Sequence, residues 1–429
     1  MLTAPLRLGI AGLGTVGVGV LKMLHKNAEI LSIRTGRQIT VSAVSAKSKS
    51  KDRGVDLGNI AWEDNPVALA QREDVDVFVE LIGGSEGIAK DAAEAAIAAG
   101  KDIVTANKAM LAIHGQSLAL AAEKTDCVIR FEAAVAGGIP VVKALTEGLA
   151  GNKIKRVLGV MNGSCNYILT RMETAGLTYE QVFAEADGLG YLEKDPNLDV
   201  GGIDAGHKLA LLASIAFGTE IDFNNVVLEG IGSITIEDIH AAADMGFRVK
   251  LLGVAQMTGR GLEQRMTPCL VPASSPLAQL EGGTNMVILE GGDSGTIVLR
   301  GAGAGAGPTA SAVMSDIIDI ARGLRLKTFG QPANSLVRAQ PATATTPAPF
   351  YLRLQLLDKP GAMAKITSVM GDAGVSIDRM RQYGHAAGQA PVLIVTHKTT
   401  RAAIDQVLSD FTSTGVVEGI MVALRIEML

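Results

Sequence analysis

The residues best suited to chemistry are concentrated between positions 190 and 208. Gly190–Asp199 is an acidic loop, and Gly201–Lys208 leads from it into a helical pattern. Asp204 and Lys208 are four residues apart and therefore share one helix face. Such a pair is either a weak surface ion pair or a lysine held by its carboxylate as a proton donor. In the second interpretation, partial burial beside Leu209 would tune the lysine, and the neighbouring acids would bind a substrate ammonium group.

A second lysine follows a short apolar strand. The run Thr105-Ala106-Asn107-Lys108 comes directly after Ile103-Val104. Ligands of open parallel sheets bind at the carboxyl ends of the strands, so Lys108 would lie where an ammonium group can contact a substrate carbonyl or carboxylate. An ordinary surface lysine is the competing interpretation.

A glycine-rich turn stands near the start of the chain. Gly12-Leu13-Gly14-Thr15-Val16-Gly17 has the spacing G-x-G-x-x-G, directly after the apolar run Leu6–Ala11 and at the start of a helical pattern. The glycines allow a tight turn, a close approach to a pyrophosphate and close packing of helix on strand, and the helix N-terminus attracts the phosphates. In this context the motif predicts dinucleotide binding.

The residues after the second strand bear on which dinucleotide binds. An acid there would bind the ribose 2′-hydroxyl of NAD, but Ser45–Lys51 contains none before Asp52. Lys47, with Lys49 and Lys51, is available for a 2′-phosphate. The sequence thus favours NADP(H), while NAD(H) stays possible and a solvated basic loop is the alternative.

These motifs require three kinds of unit to position them. In the first 150 residues, apolar strands such as Val75–Ile82 alternate with Ala-rich helical stretches, which predicts a Rossmann-type parallel sheet covered on both faces. The middle, residues 137–305, is richer in strands, which predicts an α+β unit with an open sheet covered on one face. Residues 340–349 contain three prolines and predict a linker. Residues 350–429 follow the order β-α-β-β-α-β, a ferredoxin-like unit.

Composition excludes several other classes of protein. The 429 residues include 39 Lys+Arg and 44 Asp+Glu, a net charge of −5, and only 3% are aromatic. That balance argues against nucleic-acid binding. The apolar runs are too short for a membrane span, the N-terminus is unlike a secretion signal, and three scattered cysteines form no disulfide framework. We therefore expect a cytoplasmic protein.

Over almost its whole length the sequence resembles homoserine dehydrogenase in the longer form that carries a C-terminal ACT domain. The resemblance rests on five stretches: residues 12–17, 105–108, 132–140, 162–169 and 190–208. It implies reduction of aspartate-4-semialdehyde to homoserine with NAD(P)H, in threonine, methionine and isoleucine biosynthesis. Lys208 would be the proton donor and Asp204 its partner. Glu193, Asp199 and Gly190 would bind substrate, and Lys108 would lie between nicotinamide and substrate.

The resemblance also implies a monovalent cation, Na⁺ or K⁺. The matching positions are Glu132, Val135, Gly137 and Ile139, which would act largely through backbone carbonyls; a glycine-containing hinge is the alternative. The run Gly301–Gly307 would carry the chain back to the nucleotide domain, with Gly305 at the cofactor and a helix over 309–323 packed on the first sheet. The nucleotide domain would then comprise residues 1–136 and 306–335, and residues 137–305 would be the substrate-binding, catalytic and dimerisation domain.

The C-terminal unit resembles the ACT domain through Asp358, Pro360, Gly361 and Gly374. The resemblance implies an amino-acid effector, threonine in this pathway, and a homodimer or homotetramer. A dimerisation module without a ligand is the alternative.

Cys165 stands where similar sequences carry threonine. A cysteine nucleophile would indicate aspartate-semialdehyde dehydrogenase, but Cys165 has no cationic neighbour in sequence, so we interpret it as a packing residue. Two further alternatives are a dehydrogenase for another amino-acid aldehyde and a dinucleotide and amino-acid sensor without catalysis. A sensor would need neither Lys208 nor Asp204.

Overall fold

The computed structural model describes residues 3–192, 195–383 and 389–428. The strands are β1 (Thr3–Ala11), β2 (Arg37–Ser45), β3 (Ala61–Glu63), β4 (Val77–Glu80), β5 (Asp102–Thr105), β6 (Ile129–Arg130), β7 (Ile154–Val160), β8 (Val227–Leu228), β9 (Phe247–Thr258), β10 (Gly261–Pro272), β11 (Thr284–Gly291), β12 (Thr296–Ala302), β13 (Phe350–Leu357), β14 (Ile377–Gln382), β15 (Gln389–Thr396) and β16 (Val417–Ile426).

The helices are α1 (Thr15–Lys26), α2 (Ala28–Thr35), α3 (Pro66–Gln71), α4 (Ile88–Ala98), α5 (Lys108–Lys124), α6 (Val141–Lys143), α7 (Gly163–Ala175), α8 (Tyr179–Gly188), α9 (Pro196–Val200), α10 (Ile203–Phe217), α11 (Ile236–Asp244), α12 (Ala306–Ala321), α13 (Ala362–Asp372) and α14 (Arg401–Ser413). A π-helical turn, Ala144–Gly148, continues α6.

The first sheet is parallel and has the strand order β3-β2-β1-β4-β5-β6. The order reverses between β1 and β4, which is the point where dinucleotides bind in such folds. Helix α12 packs on α1 in the apolar core under β1, although it lies some 280 residues later in the chain. The chain thus returns to the first sheet through α12, which begins at Ala306 rather than at the expected Thr309.

The second sheet has the order β12-β11-β7-β9-β10-β16-β13-β15-β14, with β8 also on β10. Helices α7, α10 and α11 contact one face at β9. Residues 277–280, between β10 and β11, cover the other face with Leu277, Ala278 and Leu280. Helix α10, which contains Asp204 and Lys208, packs on this sheet.

The C-terminal unit has the predicted order β13-α13-β14-β15-α14-β16. Both helices pack on one sheet face around Ile366, Ile404 and Phe411. Its last strand, β16, pairs in parallel with β10 through Cys269–Arg425 and Leu270–Ile426. The sheets of the catalytic and C-terminal units are therefore one continuous sheet.

The proline-rich segment 340–349 does not hold the two units apart. Thr346 donates its N–H and its hydroxyl to Glu263, at 2.9 and 2.8 Å. Ala348 exchanges backbone hydrogen bonds with Thr399. The segment is an ordered strap along the joint, because proline limits its conformations and the N–H groups of Ala342, Thr343, Thr346 and Ala348 have hydrogen-bonding partners.

No helix in the part of the chain that the structure describes is both long and apolar enough to cross a bilayer.

Candidate active site

The glycine turn has the geometry that its spacing predicts. Gly12 has φ +101°, and a Cβ there would lie 2.3 Å from the Leu81 carbonyl oxygen. A Cβ on Gly17 would lie 2.1 Å from the carbonyl oxygen of Gly12. Nothing lies within 4 Å of the Cβ position of Gly14. Gly12 and Gly17 are thus required for packing, and Gly14 leaves the open side on which a pyrophosphate can approach.

Lys108 is held at the end of β5 by a buried hydrogen-bond network. The Thr105 hydroxyl donates to Glu80 at 2.6 Å and accepts from the Asn107 backbone N–H at 2.9 Å. The Asn107 side chain caps α5 by accepting from the Met110 N–H and donates to the carbonyl of Gly84. These contacts fix the first turn of α5, whose first residue is Lys108.

Asp204 lies between two lysines. Its Oδ1 is 2.7 Å from Lys108 Nζ, and its Oδ2 is 2.7 Å from Lys208 Nζ. Lys208 also donates to the carbonyl of Met161 at 2.9 Å. Asp204 and Lys208 are 7% and 8% exposed, so this is not the solvated surface pair of the first alternative.

The two lysine ammonium groups determine the protonation state of the Asp204 carboxyl. Burial alone would raise the pKa of the Asp204 carboxyl, but the ammonium groups of Lys208 and Lys108 outweigh it and hold that pKa well below its usual value. Asp204 is therefore ionised throughout the physiological range and fixes both ammonium groups in place.

Asp199 reaches the same site from α9. It is 5% exposed, and Asn162 Nδ2 donates to its Oδ1 at 3.2 Å. The Asn162 side chain also accepts from the Cys165 N–H and caps α7. The thiol of Cys165 donates to the backbone carbonyl of Asp199, and burial raises the pKa of this thiol well above its usual value. Cys165 therefore lies in the interior as a thiol, in agreement with the packing interpretation.

These groups line one cleft of about 750 Å³ between the two sheets. Many of the predicted residues lie on its walls: Thr15, Val16, Lys108, Gly137, Gly190, Asp199, Asp204, Lys208 and Gly305. Glu193 lies outside the described residues. Lys47 is exposed on the loop after β2 and is not on the wall of this cleft.

Several wall residues were not found from the sequence. Ser164 lines the cleft and donates its hydroxyl to the backbone carbonyl of Tyr191 at 2.6 Å. The ring of Tyr191 stacks on Tyr167 with centroids 4.4 Å apart. The N-cap pattern at Asn162 was the available signal, because Asn before a helical run commonly marks a helix start.

Arg53 is a further residue that the sequence analysis missed. Its guanidinium donates to the carbonyl of Leu13, inside the glycine turn, and to the carbonyl of Lys51. It also lies 5.6 Å from the ring centroid of Trp62. Arg53 therefore ties the basic loop after β2 to the dinucleotide-binding turn.

Glu132, one of the four residues predicted to bind a cation, is a buried acid. Both carboxylate oxygens of Glu132 accept backbone N–H groups, from Val142 at 2.9 Å and Lys143 at 2.7 Å, at the start of α6. The carbonyls of Val135 and Gly137 accept no hydrogen bond from the described residues. Those two oxygens suit a monovalent cation, whereas the Glu132 side chain already has partners.

The predicted effector turn is exposed. Asp358, Pro360 and Gly361 precede α13, and Gly361 adopts φ +82° at its N-cap. This conformation favours glycine.

Three family models match successive parts of the chain. Residues 12–132 match "Homoserine dehydrogenase, NAD binding domain", residues 140–318 match "Homoserine dehydrogenase", and residues 350–414 match "ACT domain".

Individual proteins match over the full length. The homoserine dehydrogenase of Neisseria gonorrhoeae is 42% identical and is covered over 99% of both chains. The crystal structure of a homoserine dehydrogenase from Thiobacillus denitrificans superposes with a TM-score of 0.94, at 37% identity and with 100% of both chains covered. A hyperthermophilic archaeal homoserine dehydrogenase in complex with NADPH covers 73% of this chain and 97% of its own, with 25% identity and a TM-score of 0.62.

Proposed function

The chain belongs to the homoserine dehydrogenase family and carries a C-terminal ACT domain, and on this basis we propose that it reduces L-aspartate-4-semialdehyde reversibly to L-homoserine with NADPH. The reaction would serve threonine, methionine and isoleucine biosynthesis. The observation that carries the proposal is the Lys108–Asp204–Lys208 cluster, which lines the same cleft as Thr15 and Val16 of the glycine turn.

Lys208 is the proposed proton donor. The bound nicotinamide cofactor would supply the hydride. As the substrate carbonyl is reduced, negative charge develops on its oxygen and needs a nearby proton. Lys208 Nζ gives up that proton in the forward direction and accepts one from the hydroxyl in reverse. Asp204 orients the ammonium group, and Lys108 adds a second positive charge beside the reacting carbonyl.

Recognition of the amino-acid end of the substrate is assigned to the acidic loop. Asp199, held by Asn162, offers a carboxylate to the substrate ammonium group, and we propose Glu193 and the backbone at Gly190 as further contacts. The substrate is thus distinguished from a simple aldehyde by its charged end.

NADP preference is proposed from the basic loop after β2. Lys47 is exposed on that loop and is the proposed contact for a 2′-phosphate, and Arg53 fixes the loop to the glycine turn. The archaeal relative described with NADPH supports the proposal. Lys47→Ala is expected to lower kcat/KM for NADPH about tenfold or more and to leave NADH nearly unchanged. Equal efficiency with both cofactors in the unaltered enzyme would contradict the preference.

A monovalent cation at Glu132, Val135, Gly137 and Ile139 is a further proposal. The carbonyls of Val135 and Gly137 would hold the ion, which would order the hinge between nucleotide and catalytic domains. Titrating KCl or NaCl into ion-depleted enzyme, at constant ionic strength, should raise activity. Indifference to both ions would contradict a functional site.

Threonine feedback through the ACT domain completes the proposal, together with assembly into a homodimer or homotetramer. The exposed Asp358-to-Gly361 turn offers backbone groups to an amino acid. The decisive assay follows NADPH oxidation with L-aspartate-4-semialdehyde, with and without threonine. Turnover with this aldehyde, and far slower turnover with glutamate-5-semialdehyde, is expected. No turnover with either would favour the sensor alternative, and insensitivity to threonine would remove the regulatory part alone.

A further inference from the structure

A second cavity lies at the joint between the catalytic and ACT units. It has a volume of about 300 Å³ and is lined by β8, β10, β13, β16, the strap residue Thr345 and the start of α14. The polar wall consists mainly of Arg265, Arg401, Arg425 and Glu229. The apolar wall includes Val227, Leu228, Phe350 and Ala423. A cavity of this size suits a ligand of amino-acid size.

The arginines of this cavity are not equally satisfied. Arg265 is 3% exposed and has carboxylate partners in Glu263 and Glu427. Arg425 has only 10% of its side chain exposed, yet its one hydrogen bond is from Nε to Glu427 at 3.1 Å. Nη1 and Nη2 of Arg425 have no hydrogen-bonding partner within residues 3–192, 195–383 and 389–428.

The exposed part of Arg425 lies on the cavity wall, so an anion in the cavity can accept hydrogen bonds from its guanidinium in place of solvent. Arg401 adds a second guanidinium at the same cavity, with its Nε on Asp405 at 2.8 Å and half of its side chain exposed. Both guanidinium groups favour an anion.

We propose that this joint cavity binds a small carboxylate ligand of amino-acid size. The carboxylate accepts from Arg425 and Arg401, the apolar wall covers the carbon skeleton, and Glu229 can receive an ammonium group where the ligand has one. This site is separate from the Asp358-to-Gly361 turn, and ligand binding to it does not depend on the proposed threonine feedback.

Backbone hydrogen bonds connect the wall of this cavity to the segment that contains Asp199. The Glu229 N–H donates to the carbonyl of Met266, and the Ile231 N–H donates to the carbonyl of Val200, one residue after Asp199. A Cβ on Gly230 would lie 2.4 Å from the Val200 carbonyl oxygen, so the two segments are in close contact. If Asp199 binds substrate as proposed, an occupied cavity should change KM for the semialdehyde more than kcat.

The test is calorimetric titration of the full-length protein with three probes that differ in their charged groups. L-Threonine has carboxylate and ammonium, 3-hydroxybutanoate keeps only the carboxylate, and L-threoninol keeps only the ammonium. Binding of the two carboxylates and not of threoninol is expected. Binding of threoninol as tight as that of threonine, or no heat from either carboxylate at millimolar concentration, would overturn the proposal.

Two variants locate the site. Arg401→Gln, whose surface ion pair with Asp405 is dispensable for folding, should weaken carboxylate binding about tenfold or more. Arg425→Gln should do the same, and Arg322→Gln, an exposed arginine on another face, should bind normally. Unchanged affinity in both cavity variants would place the ligand elsewhere and refute the assignment. Binding that is lost in the variants, without any effect of threonine on activity, would refute the feedback and leave the cavity site standing.

Discussion

The two lysine ammonium groups that contact Asp204 are held by different parts of the structure. Lys208 donates to the backbone at Met161 as well as to the carboxylate, whereas Lys108 comes from the end of another sheet. The substrate carbonyl would thus lie between a lysine fixed within the catalytic domain and one fixed within the nucleotide domain. Each lysine should therefore have a separable effect on catalysis.

Lys208→Ala is the most direct test of the proton-donor role. We expect turnover to fall at least a hundredfold, since positioned acid–base groups contribute about 10²–10⁴-fold. The Kd for NADPH should stay nearly unchanged, because Lys208 is not part of the glycine turn. Steady-state kinetics with a fluorescence titration of NADPH measures both quantities. Lys155→Ala, an exposed lysine on β7, is the control, and near-normal turnover of the Lys208 variant would remove it from the mechanism.

Cys165→Ser separates the dehydrogenase from a thiol-dependent enzyme. The Ser hydroxyl can keep the hydrogen bond to the Asp199 carbonyl, so kcat should remain within a few-fold of the unaltered enzyme. Resistance of the unaltered enzyme to iodoacetamide should accompany this result, since the thiol is buried with a raised pKa. A loss of a hundredfold or more would instead indicate a nucleophile.

At the scale of elements, the contact between α6 and α12 joins the nucleotide and catalytic domains through buried acids. Glu132 receives the first N–H groups of α6, while the Asp316 carboxylate on α12 receives the Glu132 N–H at 2.8 Å. Burial, with the charge of Asp316, raises the pKa of Glu132 to about 7. Arg130 and Lys143 are the cations facing these acids. This joint should therefore respond to pH near neutrality.

Glu132→Gln should flatten that response. Because the pKa of Glu132 is raised by folding, its stabilising contribution is present at low pH and is lost as pH rises through about 7. The unaltered protein should gain about 2 kcal/mol from this group between pH 8 and pH 5.5. The variant, which does not titrate at this position, should lack this gain. Thermal unfolding at pH 5.5, 6.5 and 8 measures it, with Glu29→Gln as an exposed control; equal pH slopes would contradict the assignment.

The sequence predicted much of the fold and part of the site, for identifiable reasons. The glycine turn and α10 follow local rules of spacing and periodicity, which is why residues 12–17 and Asp204–Lys208 were found. The contact of Lys108 with Asp204 depends on how two sheets face each other, which local patterns do not specify. The pairing of β16 with β10 was also missed. Three prolines in 340–349 indicate limited conformations, and they do not reveal whether the strap is packed.

At the scale of the molecule, Glu427 connects three elements. Its carboxylate contacts Arg156 on β7 at 3.0 Å, Arg265 on β10, and Arg425 on β16 at 3.1 Å. A further ion pair attaches the sheet of the ACT unit: Arg353 on β13 is 2.6 Å from the fully buried Asp238 on α11. The ACT unit is thus attached by strand pairing, by a sheet face and by charge. Removing the whole unit would expose the β10 edge and leave Arg265 without Glu427.

Glu427→Gln tests this attachment in the intact chain. Loss of one partner of a buried ionic network commonly costs about 3–5 kcal/mol, since the remaining charges keep their desolvation cost. We expect a lower midpoint of urea denaturation and a fall in unfolding free energy of about 3 kcal/mol. Glu418→Gln, an exposed position on the same strand, should change it by less than about 0.5 kcal/mol. A result for Glu427→Gln equal to that of the control would show that the network contributes little.

The parallel pairing of β10 with β16 also determines when the sheet can be completed during protein synthesis. Leu270 pairs with Ile426, so the 155 residues between the two partners must be made before they can pair. At a synthesis rate of roughly 5–20 residues per second, the edge of β10 stays unpaired for about 8–30 s. During that interval, Arg265 has no Glu427 and the hydrogen-bonding groups of Cys269 and Leu270 face solvent or a chaperone. The nascent chain is therefore most exposed to misassociation while the ACT unit is still being made.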